Sequence, residues 1–281
     1  MKAKRILTVQ DMSCVGQCSL TVALPILSVC GIEACPLPTA VLSTHTGGFK
    51  GFTVRDLSPD IPGITAHWQR EGLLFDAFYT GYLASGEQVD QILTLFDTLA
   101  APGAPRIVDP AMADNGLMYK GLPDGFAAEM LRLCRRADIL LPNTTEACML
   151  TGLPWQENMS EAQVDALLDR LQEICPTVIL TGVGFREGFT GVMVAQDGER
   201  RHYEHRKMPH GRHGTGDIYS SAFTGALLRG LSAYDAAVIA ADYTLACIER
   251  TQDDPDHWYG VHFESALPLL SRRLEDALHT P

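Results

Sequence analysis

Ile139-Leu140-Leu141-Pro142-Asn143-Thr144-Thr145-Glu146 and, further on, Thr177-Val178-Ile179-Leu180-Thr181-Gly182 each pass from a short apolar run into a polar cluster. Uninterrupted apolar runs of this length suit strands buried on both faces. Between them, Val164 to Ile174 has helical spacing, and Phe126 to Arg135 has it upstream. Strand, helix and strand in succession make a βαβ crossover and so a parallel pair. The alternation continues outward in both directions. Upstream lie strand Ile6 to Val9, helix Leu20 to Cys30 closed by Gly31, and strand Thr39 to Leu42. After a long polar connection come strand Ala77 to Tyr79, helix Gln88 to Leu99, and Ile107-Val108 ending at Asp109-Pro110. Downstream, Gly191 to Ala195 and Glu199 to Glu204, joined by Gln196-Asp197-Gly198, predict a hairpin, and Tyr234 to Arg250 and Glu264 to Leu278 predict helices. The fold class is therefore α/β, a mainly parallel sheet with helices on both faces.

Composition narrows the function. The chain has 281 residues, 46% apolar and 20% charged, which suits a globule with a sizeable core. Length alone leaves one domain or two small ones open. A formal charge of −12 argues against nucleic acid and anionic membranes as partners. The first apolar run is too short for a signal peptide, and no run approaches a membrane span, so the cytoplasm is the expected location. Eight cysteines form no C-x-x-C pair and read mostly as reduced core filler; Cys14 and Cys18 follow the first strand, where a reactive thiol is the rarer alternative.

In parallel α/β sheets, ligands bind beyond the carboxyl ends of the strands. Six polar clusters stand at those ends: Gln10-Asp11, Ser43-Thr44-His45-Thr46, Gly81-Tyr82, Asp109-Pro110, Asn143-Thr144-Thr145-Glu146 and Thr181-Gly182. Turn chemistry accounts for one or two of these and poorly for six. No G-x-x-x-x-G-K-[ST] is present, and Glu187 stands where a G-x-G-x-x-G starting at Gly182 needs its last glycine, so a P-loop and a dinucleotide fingerprint are both excluded. His213-Gly214-Thr215-Gly216-Asp217 opens the helical pattern Ile218 to Leu228. Glycines allow close approach of a ligand, and the first amides of a helix point outward as anion donors. A carboxylate there is placed to take a hydroxyl proton while the amides hold a phosphoryl group. Taken alone, the stretch also reads as an N-cap after a glycine turn.

Gln10, Ser43-Thr44-His45-Thr46, Thr80-Gly81-Tyr82, Asp109-Pro110, Asn143-x-x-Glu146, Thr181 and Gly214-Thr215-Gly216-Asp217 occur in an order that resembles the vitamin B6 kinases of the ribokinase-like superfamily, over about residues 5 to 250. The resemblance implies a three-layer α/β/α sandwich, a single ribokinase-like kinase domain over residues 1–281, and usually a homodimer. It implies ATP and Mg²⁺, with a monovalent cation as a further candidate, and phosphorylation of the 5′-hydroxymethyl group of pyridoxal, pyridoxine or pyridoxamine. By position, Asp217 resembles the catalytic base, and the backbone of Gly214, Thr215 and Gly216 the anion hole. Asp109, Asn143, Glu146, Thr181 and Gly182 fall on the nucleotide and metal positions, with Asp109 and Glu146 facing Mg²⁺. Asp11, Thr46 and Tyr82 fall on the vitamer pocket.

Three departures stand out. Many members have serine at Asp11; a carboxylate favours a cationic ligand group and so pyridoxamine. After Gly16 the usual glycine-asparagine pair is missing and the segment is about one residue shorter. His213 replaces a commoner apolar residue. The nearest alternative function is a hydroxymethylpyrimidine kinase, which shares the fold and anion hole; a non-catalytic nucleotide or B6 sensor is the alternative of another class. Independently of the family, Arg200, Arg201, Arg206, Lys207 and Arg212 with His202, His205, His210 and His213 make a basic segment suited to drawing in phosphates. With no cysteine or acid at a recognised spacing, its histidines read as a solvated strand in preference to a zinc site. Asp114-Asn115-Gly116 with Gly121 and Gly125 reads either as a segment that closes over substrate or as an ordinary surface loop.

Overall fold

The computed structural model describes residues 4–208 and 212–279. The chain divides into two compact units, residues 1–57 with 208–281, and residues 58–207. The first unit opens with β1 (Arg5–Ser13), α1 (Leu20–Val29), β2 (Glu33–Leu42) and β3 (Val54–Asp56). Strands β1 and β2 pair in parallel, with a register shift at which Asp11 of β1 stands opposite two residues of β2, Thr39 and Ala40. Strand β2 begins six residues before the expected Thr39, because Pro36 and Pro38 mask its start. Glu33 donates its N–H toward β1, so the even-numbered positions of the two prolines face away from β1, beyond the short stretch that β3 covers. No ladder bond is lost there, which is where a strand tolerates proline.

The second unit holds α2 (Ile61–Arg70), β4 (Ala77–Thr80), α3 (Gly86–Thr98), β5 (Arg106–Val108), the small hairpin β6 (Ala113–Asp114) and β7 (Leu117–Met118), α4 (Phe126–Cys134), β8 (Ile139–Leu140), α5 (Thr144–Thr151), α6 (Glu161–Gln172), β9 (Thr177–Thr181), β10 (Phe189–Gln196) and β11 (Glu199–Arg206). Its strand order is β4-β5-β8-β9-β10-β11. The pairs β4/β5, β5/β8 and β8/β9 are parallel, and the hairpin β10/β11 continues the sheet antiparallel to β9. Asp197 at φ 53 and Gly198 at φ 80 form the expected hairpin turn. Capping residues set helix starts that apolar spacing alone misplaces. Ser85 accepts from Gln88 N–H, so α3 starts at Gly86. Ser160 and Gln163 form a capping box, so α6 starts at Glu161, not Val164. Helix α2 lies inside the long polar connection, and only Ile61 and Thr65 are buried in it, too few for a periodic signal.

The chain then returns to the first unit with α7 (Thr215–Leu228), α8 (Ala233–Thr251), a short 3₁₀ turn at Glu264–Ala266 and α9 (Leu267–His279). Helix α7 is buried along nearly its whole length and packs on α1 and α8. A β-carbon at Gly225 would lie 2.4 Å from Cys30 Sγ, so the two segments meet where only glycine fits. Among the described residues, no helix is long and apolar enough to cross a membrane.

The close approach at Gly225 has a measurable consequence. Gly225→Ala improves helix propensity by about 1 kcal/mol, yet it overpacks the site by about 1–3 kcal/mol. We expect the variant to lower the urea midpoint, with Cys30→Ala in the same chain recovering part of the loss. A stabilised single variant would contradict the packing.

Candidate functional site

In the first unit the site is built on the start of α7. Gly214 is the N-cap residue, at φ 78 in the left-handed region. A β-carbon on it would sit 1.8 Å from the Gln17 carbonyl oxygen, so no other residue fits. With no side-chain cap, the first turn keeps its outward amides for a ligand, and the first helical bond is Ile218 N–H to Gly214 O at 3.0 Å. Thr215 donates its hydroxyl to Arg212 O at 3.1 Å, which fixes the turn. Gly216 is exposed and Asp217, third in the helix, is half-buried.

Asp11 and Asp217 both act electrostatically on the Cys18 thiol, whose pKa is raised first by burial and then by these two acids. The sequence-predicted base and vitamer-pocket acid are thus brought to the same end of the unit. Cys18 is held as a thiol, which makes it a poor nucleophile. Asp11 is buried at 6% exposure; it accepts from Ser19 Oγ at 2.6 Å and Ser13 Oγ at 3.3 Å. Burial pushes its carboxyl above the usual range, against the pull of both hydroxyls. Ser19 sits at φ 51 just before α1, so Asp11 also tethers a strained residue.

His45 is buried between defined partners. Its Nδ1 accepts from Gly47 N–H at 3.0 Å, and its Nε2 faces the Tyr259 carbonyl at 2.8 Å. The arrangement selects the neutral tautomer protonated on Nε2. Burial lowers its pKa, as does the neighbouring His213. The His213 ring lies 5.1 Å from that of His45 and against Gly47, which gives the unusual histidine a packing role. Thr46 is exposed beside this buried neighbour. Sequence reasoning chose Thr46 from its segment and passed over His45; strand-end position alone does not tell which of two neighbours points inward.

In the second unit the site gathers at the ends of β5, β8 and β9. Asp109 is 7% exposed and receives its place from a main-chain bond to Thr80 O at 3.0 Å. Asn143 caps α5 and forms a capping box with Glu146. Glu146 Oε2 accepts from Asn143 N–H at 2.9 Å, and Oε1 accepts from Met112 N–H at 3.1 Å and Ala113 N–H at 3.5 Å. Burial raises its pKa to about 7, opposed by these amides and reinforced by the charge of Asp114. Asn143 Nδ2 donates to Ala113 O at 2.8 Å, and Gly116 N–H reaches Thr145 Oγ1 at 3.0 Å. The stretch read as a flexible closing segment or loop is in part an ordered hairpin, tied at both ends of its turn to α5. Thr181 donates its N–H to Pro142 O at 2.9 Å, and Gly182 is exposed at φ 78. Tyr82 is half-buried just beyond β4.

A cleft of about 630 Å³ in this unit is lined by Gln156, Ser160, Gly184, Phe185, Arg186 and Lys207, among others, and by none of Asp109, Asn143, Glu146 or Thr181. The basic segment disperses. Arg200 pairs with Asp165 and Asp169, the His202 ring lies tilted against Phe185 with centroids 4.7 Å apart, and His205 Nδ1 meets the Arg206 carbonyl. His210 lies outside the described residues. All eight cysteines are free.

Comparison with known proteins bears on the family and the fold. The family model described as phosphomethylpyrimidine kinase matches residues 24–261. The pyridoxine/pyridoxal/pyridoxamine kinase of Bordetella bronchiseptica is 28% identical over 257 residues, covering 88% of this chain and 89% of that protein. A putative phosphomethylpyrimidine kinase of Bacteroides thetaiotaomicron, crystallised in an orthorhombic form with pyridoxal, is 34% identical, with a TM-score of 0.91 and 96% of each chain covered. Pyridoxal kinase from Lactobacillus plantarum is 31% identical, with a TM-score of 0.89 and 99% of each chain covered. The chain belongs to the phosphomethylpyrimidine kinase family.

Proposed function

We propose that the protein uses ATP to phosphorylate the 5′-hydroxymethyl group of a B6 vitamer. The observation that carries the reading is the capless Gly214 turn with Asp217 in its first helical turn, the arrangement an alcohol kinase needs. The family description names a pyrimidine substrate. The vitamer is favoured because the curated relatives are named as B6 kinases and the 34% identical structure was crystallised with pyridoxal. The substrate oxygen attacks the γ-phosphorus, the bond to the β-phosphate oxygen breaks, and ADP departs with that electron pair. The hydroxyl proton passes to the Asp217 carboxylate. The outward amides of the Gly214-Thr215-Gly216 turn meet charge on the phosphoryl oxygens without having to reorganise.

Asp109, Asn143 and Glu146 offer hard oxygen atoms, two from buried carboxylates, and this donor set fits Mg²⁺. Asp109 would hold the ion; Glu146, whose oxygens already accept three N–H groups, would support its water shell. Magnesium supplies charge neutralisation on the phosphates. Thr181 and Gly182 lie beside this group for the nucleotide, and Asp11, Thr46 and Tyr82 serve the vitamer. In this reading both units act as one kinase domain in a cytoplasmic homodimer, with a monovalent cation as a further candidate cofactor.

Asp217→Asn is expected to lose at least a hundredfold in turnover while ATP still binds, measured by coupled assay and calorimetry on pyridoxal, pyridoxine, pyridoxamine and hydroxymethylpyrimidine side by side. Preference for the pyrimidine would move the substrate and keep the mechanism; binding without turnover in the unaltered chain would favour a sensor. Asp11→Ser is expected to lower pyridoxamine turnover relative to pyridoxal. An unchanged ratio would leave Asp11 only its tether to Ser19.

Glu146 gives a pH signature. Its folded pKa, about 7, lies above the ordinary 4.5, so between these values the native state holds a proton that the unfolded chain has released. Stability of the metal-free protein should therefore fall as pH rises through this window. Glu146→Gln should flatten that slope in thermal melts, and Mg²⁺ should flatten it in the unaltered chain. Equal slopes in all three would contradict the assignment.

A further inference from the structure

Beyond α8, the loop of residues 252–263 gathers Asp254, His257 and His262, none of which the phosphoryl-transfer reading uses. One ligand atom from each lies within 4.8 Å of the others, and all three residues are half-buried. His262 Nε2 meets Asp254 Oδ2 at 2.9 Å. The rings of His257 and His262 stack with centroids 4.0 Å apart and planes 29° apart. His257 Nε2 also meets Gln17 Oε1 at 2.6 Å, while Gln17 Nε2 donates to Glu264 Oε1 at 2.7 Å. Because Gln17 offers its oxygen, His257 carries its proton on Nε2 and leaves Nδ1 as the lone-pair nitrogen. A ligating histidine commonly donates its other N–H to such an acceptor.

The loop backbone is pinned independently of these side chains. Arg212 donates to the carbonyls of His257 at 3.2 Å and Thr251 at 3.3 Å, and His262 N–H donates to Thr251 Oγ1 at 2.8 Å. A β-carbon at Gly260 would lie 2.5 Å from Gln17 Oε1, so the turn between the histidines is pressed onto Gln17. His257-x₄-His262 also has the spacing found between histidine ligands of zinc.

We propose that Asp254, His257 and His262 form a binding site for one zinc-class divalent ion, separate from the magnesium that serves ATP. Two imidazoles are borderline ligands, and with one carboxylate they make a mixed nitrogen and oxygen set suited to zinc, whereas magnesium prefers oxygen alone. Three protein ligands leave a fourth position for water. Tetrahedral zinc needs ligand atoms about 3.3 Å apart, so the three would draw in from their present spacing within 4.8 Å. The ion would cross-link the loop to the Gln17 segment through the His257–Gln17 bond. The sequence carried this signal as a histidine pair at short spacing, and it was overshadowed by the denser histidines between residues 202 and 213.

Zinc chloride titrated calorimetrically into the metal-free full-length protein, without nucleotide, should fill one such site per chain. His257→Gln and His262→Gln should each weaken binding at least tenfold, and His202→Gln with His205→Gln should leave it unchanged. In the unaltered protein, zinc should shift the imidazole NMR signals of His257 and His262, a readout that needs no variant to fold. Absence of binding, binding that survives both single variants, or unmoved signals for both histidines would overturn the proposal.

Discussion

Burying a carboxylate at a strand end raises free energy unless donors or a cation compensate it, and the second unit is organised around that constraint. Glu146 answers it with three main-chain N–H groups, and those bonds join the end of β8, the start of α5 and the hairpin that follows Asp109. The compensation is incomplete, as its raised pKa shows. The arrangement that positions these acids is the one that the proposed Mg²⁺ would complete.

The first unit solves a different problem, that of packing loop backbone closely against neighbouring groups. Gly16 lies against His45, Gly214 against the Gln17 carbonyl and Gly47 against His213, each too near for a side chain. The segment after Gly16 departs from the B6-kinase pattern in length and residue type. Within it, Gln17 lies with its carbonyl against Gly214 and reaches His257 and Glu264 through its side chain. The shorter loop is integrated at both ends.

The strand–helix alternation was legible because buried strands such as Thr177–Thr181 are continuous apolar runs with turn residues after them. The ordered polar clusters at those ends then pointed to the family. Helix α2 was not legible, since its surface is mostly solvated, and β2 was obscured by prolines on an edge that needs no donors. Helix starts depended on Ser85 and Ser160, which apolar spacing does not register. Gly214 and Asp217 lie at the start of α7, and Asp109, Asn143 and Thr181 stand at the ends of the adjacent strands β5, β8 and β9, with Glu146 in the first turn of α5. What the sequence concealed is partnership. Nothing in the pattern said that His45 is the inward residue of its segment, or that Glu146 spends both oxygens on amides.

Strand β11 closes one edge of the second unit's sheet, and its residues are Glu199-Arg200-Arg201-His202-Tyr203-Glu204-His205-Arg206. An edge strand exposes a row of donors and acceptors that another chain can extend. Here the row is guarded by charge of both signs, with Arg200 and Glu204 fixed by ion pairs. The same basic residues that suggested attraction of phosphates therefore also oppose intermolecular strand addition. Replacing them with neutral β-formers would preserve pairing to β10 and remove this barrier to strand addition, so in an acidic protein the basic residues of β11 act as guards of the sheet edge.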